Sequence, residues 1–121
     1  MKLADIRAGA ALPELAIDIT AKLIVGGAIA SRDYQDVHHD KAAAQALGSP
    51  DIFMNILTTN GLVGRYVTDW AGSEARLGKV NIRLGVPNFP GDRMVFSGSV
   101  DSVDADSGTV VVALAGRNQL G

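Results

Sequence analysis

The segment from residue 51 to residue 70 restricts the fold of this chain more than any other. Apolar residues recur in it at the spacing of an α-helix, at Phe53, Ile56, Leu57, Val63, Tyr66, Val67 and Trp70. Poor helix formers lie between them, at Thr58, Thr59, Asn60, Gly61 and Gly64. Small side chains suit a central helix that strands approach closely, whereas a surface helix seldom uses them. We therefore predict a central helix that begins at Ile52, with Asp51 as its N-cap, and ends at residues 71–73.

Strand-like patterns precede this helix. Apolar and polar residues alternate over positions 15–22, which predicts a half-buried strand. Residues 23–30 are more continuously apolar, and we predict a second strand or a buried extension of the first. The Gly26-Gly27 pair within them permits a bulge or a close backbone approach.

Three further strands are predicted after the helix. Apolar residues alternate over positions 80–84 and 94–103, and residues 110–114 form a hydrophobic run. Loops separate these strands at residues 86–92, which include two prolines, and at residues 104–108. One helix set against a meander of antiparallel strands places the chain in the α+β class.

Length and composition indicate one domain over residues 1–121. Apolar residues make up 47% of the chain and charged residues 20%, which is ordinary for a globular protein. Residues 1–12 are expected to form a loosely held arm. A final strand is expected to pair with the last predicted one, and it would have to lie beyond residue 121 or be absent.

Composition also excludes several classes of function. The net charge is −2 without a basic block, so no nucleic-acid partner is expected. The absence of cysteine excludes disulfides, thiolate nucleophiles and cysteine metal sites. The longest apolar stretch, residues 23–30, is too short to cross a membrane, and residues 1–13 lack the apolar region of a secretory signal. The expected location is the cytoplasm, without a membrane partner.

Residues 31–40 contain the groups best suited to chemistry. They hold three carboxylates, one tyrosine and both histidines of the chain. A carboxylate and an imidazole can bind one water together, one group taking its proton while the other orients it. An ordinary solvated loop stays open as an interpretation, and so does a metal site on His38 and His39, although adjacent histidines rarely point the same way. Asp40 is predicted to cap a short Ala-rich helix that Gly48 ends.

The spacing of these residues resembles a known motif. Asp33, four residues, His38, one residue and Asp40 are similar to the Asp-x4-His-x-Asp motif of the MaoC-like (R)-specific enoyl-CoA hydratases. The resemblance covers most of the chain from about residue 12. Further similar segments lie at residues 41–44, 50–55, 80–85 and 90–103.

This resemblance implies a hot-dog fold, in which an antiparallel sheet wraps around a central helix. It also implies an enoyl-CoA hydratase without a metal or cofactor, since the CoA belongs to the substrate. Asp33 and His38 would be the catalytic pair that activates water, with Asp40 as motif support. The backbone N–H of Asn55 would bind the thioester carbonyl. Met54 and Asn55 stand where the family has His-Gly, so a glycine is replaced at the carbonyl-binding position.

A closer similarity concerns substrate and partner. Residues 32–40, 51–58 and 65–72 resemble the small MaoC-like subunit of the actinobacterial hydratases for the cholesterol side chain. This resemblance implies a steroid side-chain enoyl-CoA as the acyl-CoA substrate, and a larger MaoC-like subunit as the partner. A homodimer is the alternative assembly, because an open sheet edge invites pairing in either case.

Two other functions compete with hydration. An acyl-CoA thioesterase of the same fold would place a carboxylate on or near the central helix, where only Asp51 and Asp69 lie, near its ends. A non-catalytic partner domain of a hydratase would lack one member of the motif pair, and both are present. Fold alone does not decide between these functions.

Weaker assignments concern the remaining polar residues. Tyr34 is interpreted as a packing residue, and His39 as pointing away from His38 toward solvent or a subunit contact. Basic residues that could meet the CoA phosphates are Arg65, Arg76, Lys79, Arg83 and Arg117.

Overall fold

The computed structural model describes all 121 residues. Its regular elements are strand β1 (Ala11–Asp18), helix α1 (Ala21–Ala30), helix α2 (Lys41–Ala46), helix α3 (Ile56–Ala71), strand β2 (Arg93–Asp104) and strand β3 (Thr109–Arg117). Short 3-10 turns lie at Leu3–Asp5 and Asp36–His38. No helix reaches the length and apolar character needed to cross a membrane.

The three strands form one antiparallel sheet in the order β1-β2-β3. Strands β2 and β3 are a hairpin, in whose turn Asp104 Oδ1 accepts the N–H groups of Asp106 and Ser107. The strands predicted over residues 94–103 and 110–114, and the turn between them, are confirmed. Leu12 is buried in β1, so the end of the expected N-terminal arm belongs to the sheet.

The second strand predicted before the central helix is wrong, because residues 21–30 form helix α1. Its N-cap is Thr20, whose hydroxyl accepts the N–H of Leu23 at 3.0 Å. The predicted close backbone approach is confirmed at Gly27, where a Cβ would lie only 2.2 Å from Thr58 Oγ1 of α3. A short apolar run is compatible with either a strand or a helix. Here the packing of residues 21–30 against α3 determines that they form a helix.

Helix α3 begins at Ile56 rather than at Ile52, and its N-cap is Asn55 rather than Asp51. The Asp51 carboxylate accepts only the N–H of its neighbour Ile52, at 2.7 Å. The N–H groups of the two residues before Asn55 donate to carbonyls of other segments instead of starting a helix. The prediction of a central helix is therefore confirmed, but the helix begins four residues later than predicted.

Helix α3 packs on the sheet through Tyr66, which stacks on Phe96 of β2 with ring centroids 5.6 Å apart. The tyrosine ring passes over Gly98, where a Cβ would lie 3.4 Å from it. The close approach of helix and sheet thus depends on a glycine of the strand, whereas Gly61 of the helix meets nothing within 4 Å and Gly64 meets only the side chain of Leu77. The largest fully buried side chains are Phe96, Ile19, Ile24 and Val100.

The strand predicted over residues 80–84 is wrong. No backbone–backbone hydrogen bond involves residues 76–86, so these residues pair with no neighbouring strand despite their alternating pattern. Much of their apolar surface is exposed, at Leu77, Val80, Leu84 and Val86. The loop predicted after them is confirmed, with Gly91 at φ +91° and the Asp92 carboxylate accepting the N–H of Phe89 at 2.8 Å.

Candidate active site

Asp33 is placed by the end of helix α1. The hydroxyl of Ser31 donates to the carbonyl of Gly27 at 2.7 Å, closing the last turn. Arg32 then adopts φ +57°, a left-handed conformation that residues other than glycine seldom take. This turn lets the N–H of Asp33 donate to the carbonyl of Ala28 at 2.8 Å. The main chain of Asp33 is therefore tied directly to the last turn of helix α1.

His38 is buried and is oriented through both ring nitrogens. Its Nδ1 lies 2.7 Å from the carbonyl oxygen of Phe53, and its Nε2 lies 3.3 Å from Asp33 Oδ2. A carbonyl can only accept, so Nδ1 carries a proton and donates it to Phe53, and this bond turns Nε2 toward Asp33. The Phe53 ring meets the imidazole edge-on, with centroids 5.1 Å apart. The structure thus brings together the two residues that the motif predicted.

The Asp33 carboxylate is held at both oxygens. Oδ1 accepts the N–H of Gln35 at 3.2 Å, and Oδ2 accepts Nδ2 of Asn55 at 3.1 Å. The hydrogen bond from Asn55 is the largest cause that lowers the pKa of Asp33 below its usual 3.8. The Gln35 N–H and the charges of His38 and His39 also lower this pKa, against a partial desolvation that raises it. Asp33 is therefore an ionised acceptor at neutral pH.

Asn55 lies at the start of helix α3 and lines the same cavity as Asp33 and His38. Its Oδ1 caps the helix by accepting the N–H of Thr58 at 3.0 Å. The backbone N–H of Asn55 donates to no group of the protein, so it is free to donate to a ligand. The helix start adds positive potential there. Binding of a thioester carbonyl by this N–H stays a prediction.

Asp40 supports the site through helix α2. Its Oδ1 accepts the N–H groups of Ala42 and Ala43 at 3.0 and 3.3 Å, which confirms the predicted cap. Gly48, at φ +95°, follows the C-cap of this helix as predicted. The N–H of Asp40 donates to the carbonyl of Asp36 in the turn that carries His38. Asp40 therefore holds the segment that follows Asp33 and His38, and it has no hydrogen bond to either side chain.

The expectations for His39 and Tyr34 need correction. His39 Nε2 lies 2.7 Å from the main-chain oxygen of Asp33, so the ring braces the loop instead of pointing to solvent. Tyr34 is 68% exposed and is no core residue, although its ring stacks on His39 at 6.5 Å. The two imidazoles bind different carbonyls. No group of three histidine, aspartate or glutamate side chains lies close enough to hold a metal ion.

A cavity of about 1910 Å³ opens beside the pair. Its wall includes helix α3, strand β3 and the segment at residues 76–87. Hydrophobic residues are 24 of the 45 that line it, which suits an apolar ligand with some polar parts. Arg65 lies outside it and pairs with Asp69 at 3.4 Å. The basic residues at the cavity are Arg76, Lys79, Arg83 and Arg117.

Sequence reasoning missed the side chains that support Asp33. It assigned only the backbone N–H of Asn55, while the carboxamide contacts Asp33, Ser31 and Thr58. One signal was available, because asparagine is a strong N-cap and Asn55 directly precedes two apolar residues of the helical pattern. Nothing in the local sequence indicates its contact with residue 33.

A family model described as MaoC like domain matches residues 8–117. The chain is 52% identical over 113 residues to the 3-oxo-4,17-pregnadiene-20-carboxyl-CoA hydratase beta subunit of Mycobacterium tuberculosis. That alignment covers 93% of this chain and 86% of the relative.

Solved structures agree with this match. The crystal structure of the ChsH1-ChsH2 complex from Mycobacterium tuberculosis contains a chain with a TM-score of 0.91 and 51% identity, covering 95% of this chain and 89% of that one. The (R)-hydratase from A. caviae has a TM-score of 0.84 at 18% identity, covering 97% and 89%. R-hydratase PhaJ1 from Pseudomonas aeruginosa has a TM-score of 0.87 at 21% identity, covering 98% and 76%. The last two show the fold alone, and the predicted α+β hot-dog fold is confirmed.

Proposed function

Because the chain belongs to the family of MaoC-like domains, we propose that it is a subunit of an enoyl-CoA hydratase, a hydro-lyase that adds water across the α,β double bond of a CoA thioester. One observation carries the proposal. Asp33 Oδ2 and His38 Nε2 lie 3.3 Å apart at the wall of a large, mostly hydrophobic cavity. A carboxylate and an imidazole so close can hold one water between them and the ligand.

In the proposed reaction, the water donates hydrogen bonds to Asp33 and His38. Its oxygen attacks the β-carbon of the enoyl group as His38 Nε2 takes one of its protons. The ionised Asp33 stabilises the imidazolium that forms. The proton then passes to the α-carbon, so that H and OH have been added and both side chains regain their starting states.

The proposed electrophilic aid is the start of helix α3. Attack at the β-carbon moves negative charge onto the thioester oxygen, which becomes an enolate. The N–H of Asn55 has no protein acceptor and lies at a helix N-terminus, where negative charge is stabilised. Preorganised donors of this kind typically account for about 10²–10³ in rate.

The proposed substrate class is a steroid side-chain enoyl-CoA. The support is the 52% identity to a relative whose name specifies a pregnadiene carboxyl-CoA. The size of the cavity, about 1910 Å³, also favours a bulky acyl group over a short one. Basic residues at the cavity, among them Arg76 and Lys79, are candidates for the CoA phosphates.

The proposed partner is a larger MaoC-like subunit. The chain resembles one member of the ChsH1-ChsH2 complex at a TM-score of 0.91. Exposed apolar residues at the open side of the cavity would be covered in such an assembly; they include Leu77, Leu84, Val86 and Val111. A cytoplasmic location is part of the proposal.

Thioester hydrolysis is less well supported. The only carboxylate within helix α3 is Asp69, which is largely exposed and paired with Arg65. A purely structural role is also disfavoured, because such a domain has no need of a carboxylate paired with a buried histidine at a cavity wall.

The test uses the chain purified with its candidate partner and alone, and short, long and steroid enoyl-CoA substrates. Loss of enoyl absorbance measures hydration, while release of free CoA measures hydrolysis. We expect hydration of the steroid thioester by the complex and no CoA release. CoA release without loss of the enoyl group would show that the protein is a thioesterase and not a hydratase. Inactivity toward every enoyl-CoA would refute the proposal.

A further inference from the structure

The carboxamide of Asn55 has every hydrogen-bonding position occupied. Its Nδ2 donates to Ser31 Oγ at 2.9 Å and to Asp33 Oδ2 at 3.1 Å. Its Oδ1 accepts both the N–H and the hydroxyl of Thr58. The residue is only 2% exposed, so no water competes for these positions. One amide thus joins the end of helix α1, the Asp33 loop and the start of helix α3.

The orientation of this amide is determined by its neighbours. A flipped amide would direct Oδ1 at the Asp33 carboxylate and Nδ2 at the N–H of Thr58, placing like groups together at both ends. The Ser31 hydroxyl already donates to Gly27, so it meets Asn55 as an acceptor. Asn55 therefore always presents a donor to Asp33.

The bond from Asn55 reaches the same carboxylate oxygen that faces His38. Oδ2 lies 3.1 Å from Asn55 Nδ2 and 3.3 Å from His38 Nε2, while Gln35 holds the other oxygen. A carboxylate held by Gln35 alone could rotate about its bond to Cβ. The second donor, at the start of helix α3, removes that freedom and keeps Oδ2 beside His38 at the wall of the cavity.

We propose that Asn55 is a positioning residue of the reaction, whose side-chain amide holds the Asp33 carboxylate against His38 in the geometry that binds the attacking water. The inference rests on the hydratase function proposed above. It adds a second role to Asn55, since the backbone N–H and the side-chain amide act on opposite ends of the reacting group.

The decisive variant is Asn55→Ser, because serine is an equally good N-cap but cannot reach Asp33. Serine at this position keeps the backbone N–H, as does every residue except proline. We expect kcat of the active assembly to fall on the order of 10- to 100-fold with little change in KM, because the attacking water loses its alignment. The acid limb of the pH profile should move to higher pH, since the ionised form of Asp33 loses a donor. His38 and His39, whose charges also lower the pKa of Asp33, are unchanged in this variant.

The matched control is Thr20→Ala, which removes the N-cap of helix α1 and touches no member of the pair. It should lower the midpoint of thermal unfolding by a few degrees without moving the pH profile. A direct readout that needs no substrate is the titration of the Asp33 carboxyl carbon followed by NMR. Its midpoint should lie below 3.8 in the unmodified chain and in Thr20→Ala, and higher in Asn55→Ser.

Coinciding titrations of Asn55→Ser and the unmodified chain would overturn the positioning role, even if hydration itself is established. A higher midpoint for Asp33 in Asn55→Ser would support the hydrogen bond from Asn55 to Asp33 even if no enoyl-CoA proves to be a substrate. If Asn55→Ser does not fold, Asn55→Asp serves instead, because it keeps the cap and the size but sets a second carboxylate beside Asp33. The pair should then titrate with an even higher apparent pKa. If neither folds while Thr20→Ala does, Asn55 is a structural residue and the proposal fails.

Discussion

His38 Nδ1 donates to the carbonyl oxygen of Phe53 across 2.7 Å, and this bond determines which side of the imidazole faces Asp33. Phe53 lies in the extended entry to helix α3, three residues before its first turn. The late start of the helix therefore has a chemical consequence. Were residue 53 already helical, its carbonyl would accept an N–H of the next turn and would no longer set the histidine tautomer.

Removing either member of the pair should abolish most of the hydration. For Asp33→Asn and for His38→Ala, we expect kcat/KM to fall by about 10²–10⁴, because each variant removes a positioned acid–base group. The measurement is initial rate by loss of enoyl absorbance, with circular dichroism to check the fold. Rates within a few fold of the unmodified enzyme in both variants would exclude the proposed mechanism.

Asp33 should contribute to stability only while it is ionised. Its pKa in the folded state is depressed, chiefly by the hydrogen bond from Asn55. A depressed carboxyl pKa stabilises the fold above the unfolded value, near pH 4, and that stability is lost as pH falls through the folded pKa. Urea titrations of the unmodified chain and of Asp33→Asn should therefore differ more at neutral pH than in acid. A difference that stays constant down to low pH would contradict the assignment.

Two adjacent glycines of helix α1 should respond oppositely to alanine. A Cβ at Gly27 would lie 2.2 Å from Thr58 Oγ1, so Gly27→Ala must push α1 from α3 and displace the partner of Asn55. We expect a loss of about 1–3 kcal/mol in the free energy of unfolding, and reduced activity.

Gly26→Ala is the matched control, because a Cβ at Gly26 meets nothing within 4 Å. Alanine is the better helix former, so a gain of up to about 1 kcal/mol is expected. Denaturant unfolding measures both variants. Equal effects at the two positions would mean that the close contact between α1 and α3 is absent in solution.

Tyr66→Phe should leave stability unchanged or increase it by about 1 kcal/mol, since it removes a buried group that lacks a partner. The phenol oxygen of Tyr66 is buried without a hydrogen bond, and burial raises the pKa of this side chain. The stacking on Phe96 does not involve the hydroxyl. Thermal unfolding provides the measurement. A clear loss of stability would show that the hydroxyl has a partner, such as a bound water.

Local sequence patterns predicted the parts of the fold that local interactions build. The hairpin of β2 and β3 follows from alternation and a turn, and helix α2 from its Asp40 cap and Gly48. The segments mispredicted as strands, α1 and residues 80–84, are apolar stretches whose form depends on distant partners. Helix α1 packs on α3, whereas residues 76–86 have no strand beside them.

The sequence by itself determined the proposed reacting groups. Asp33 and His38 stand five residues apart on one loop, and their spacing predicted a pair that the fold brings to 3.3 Å. Only the tertiary structure decided how that pair is held. Asn55 reaches Asp33 across 22 residues of chain and Phe53 reaches His38 across 15, and such contacts form only when two helices and a loop converge. Chemistry on one short segment can be inferred from residue type and spacing, while its orientation depends on side chains whose proximity no local pattern encodes.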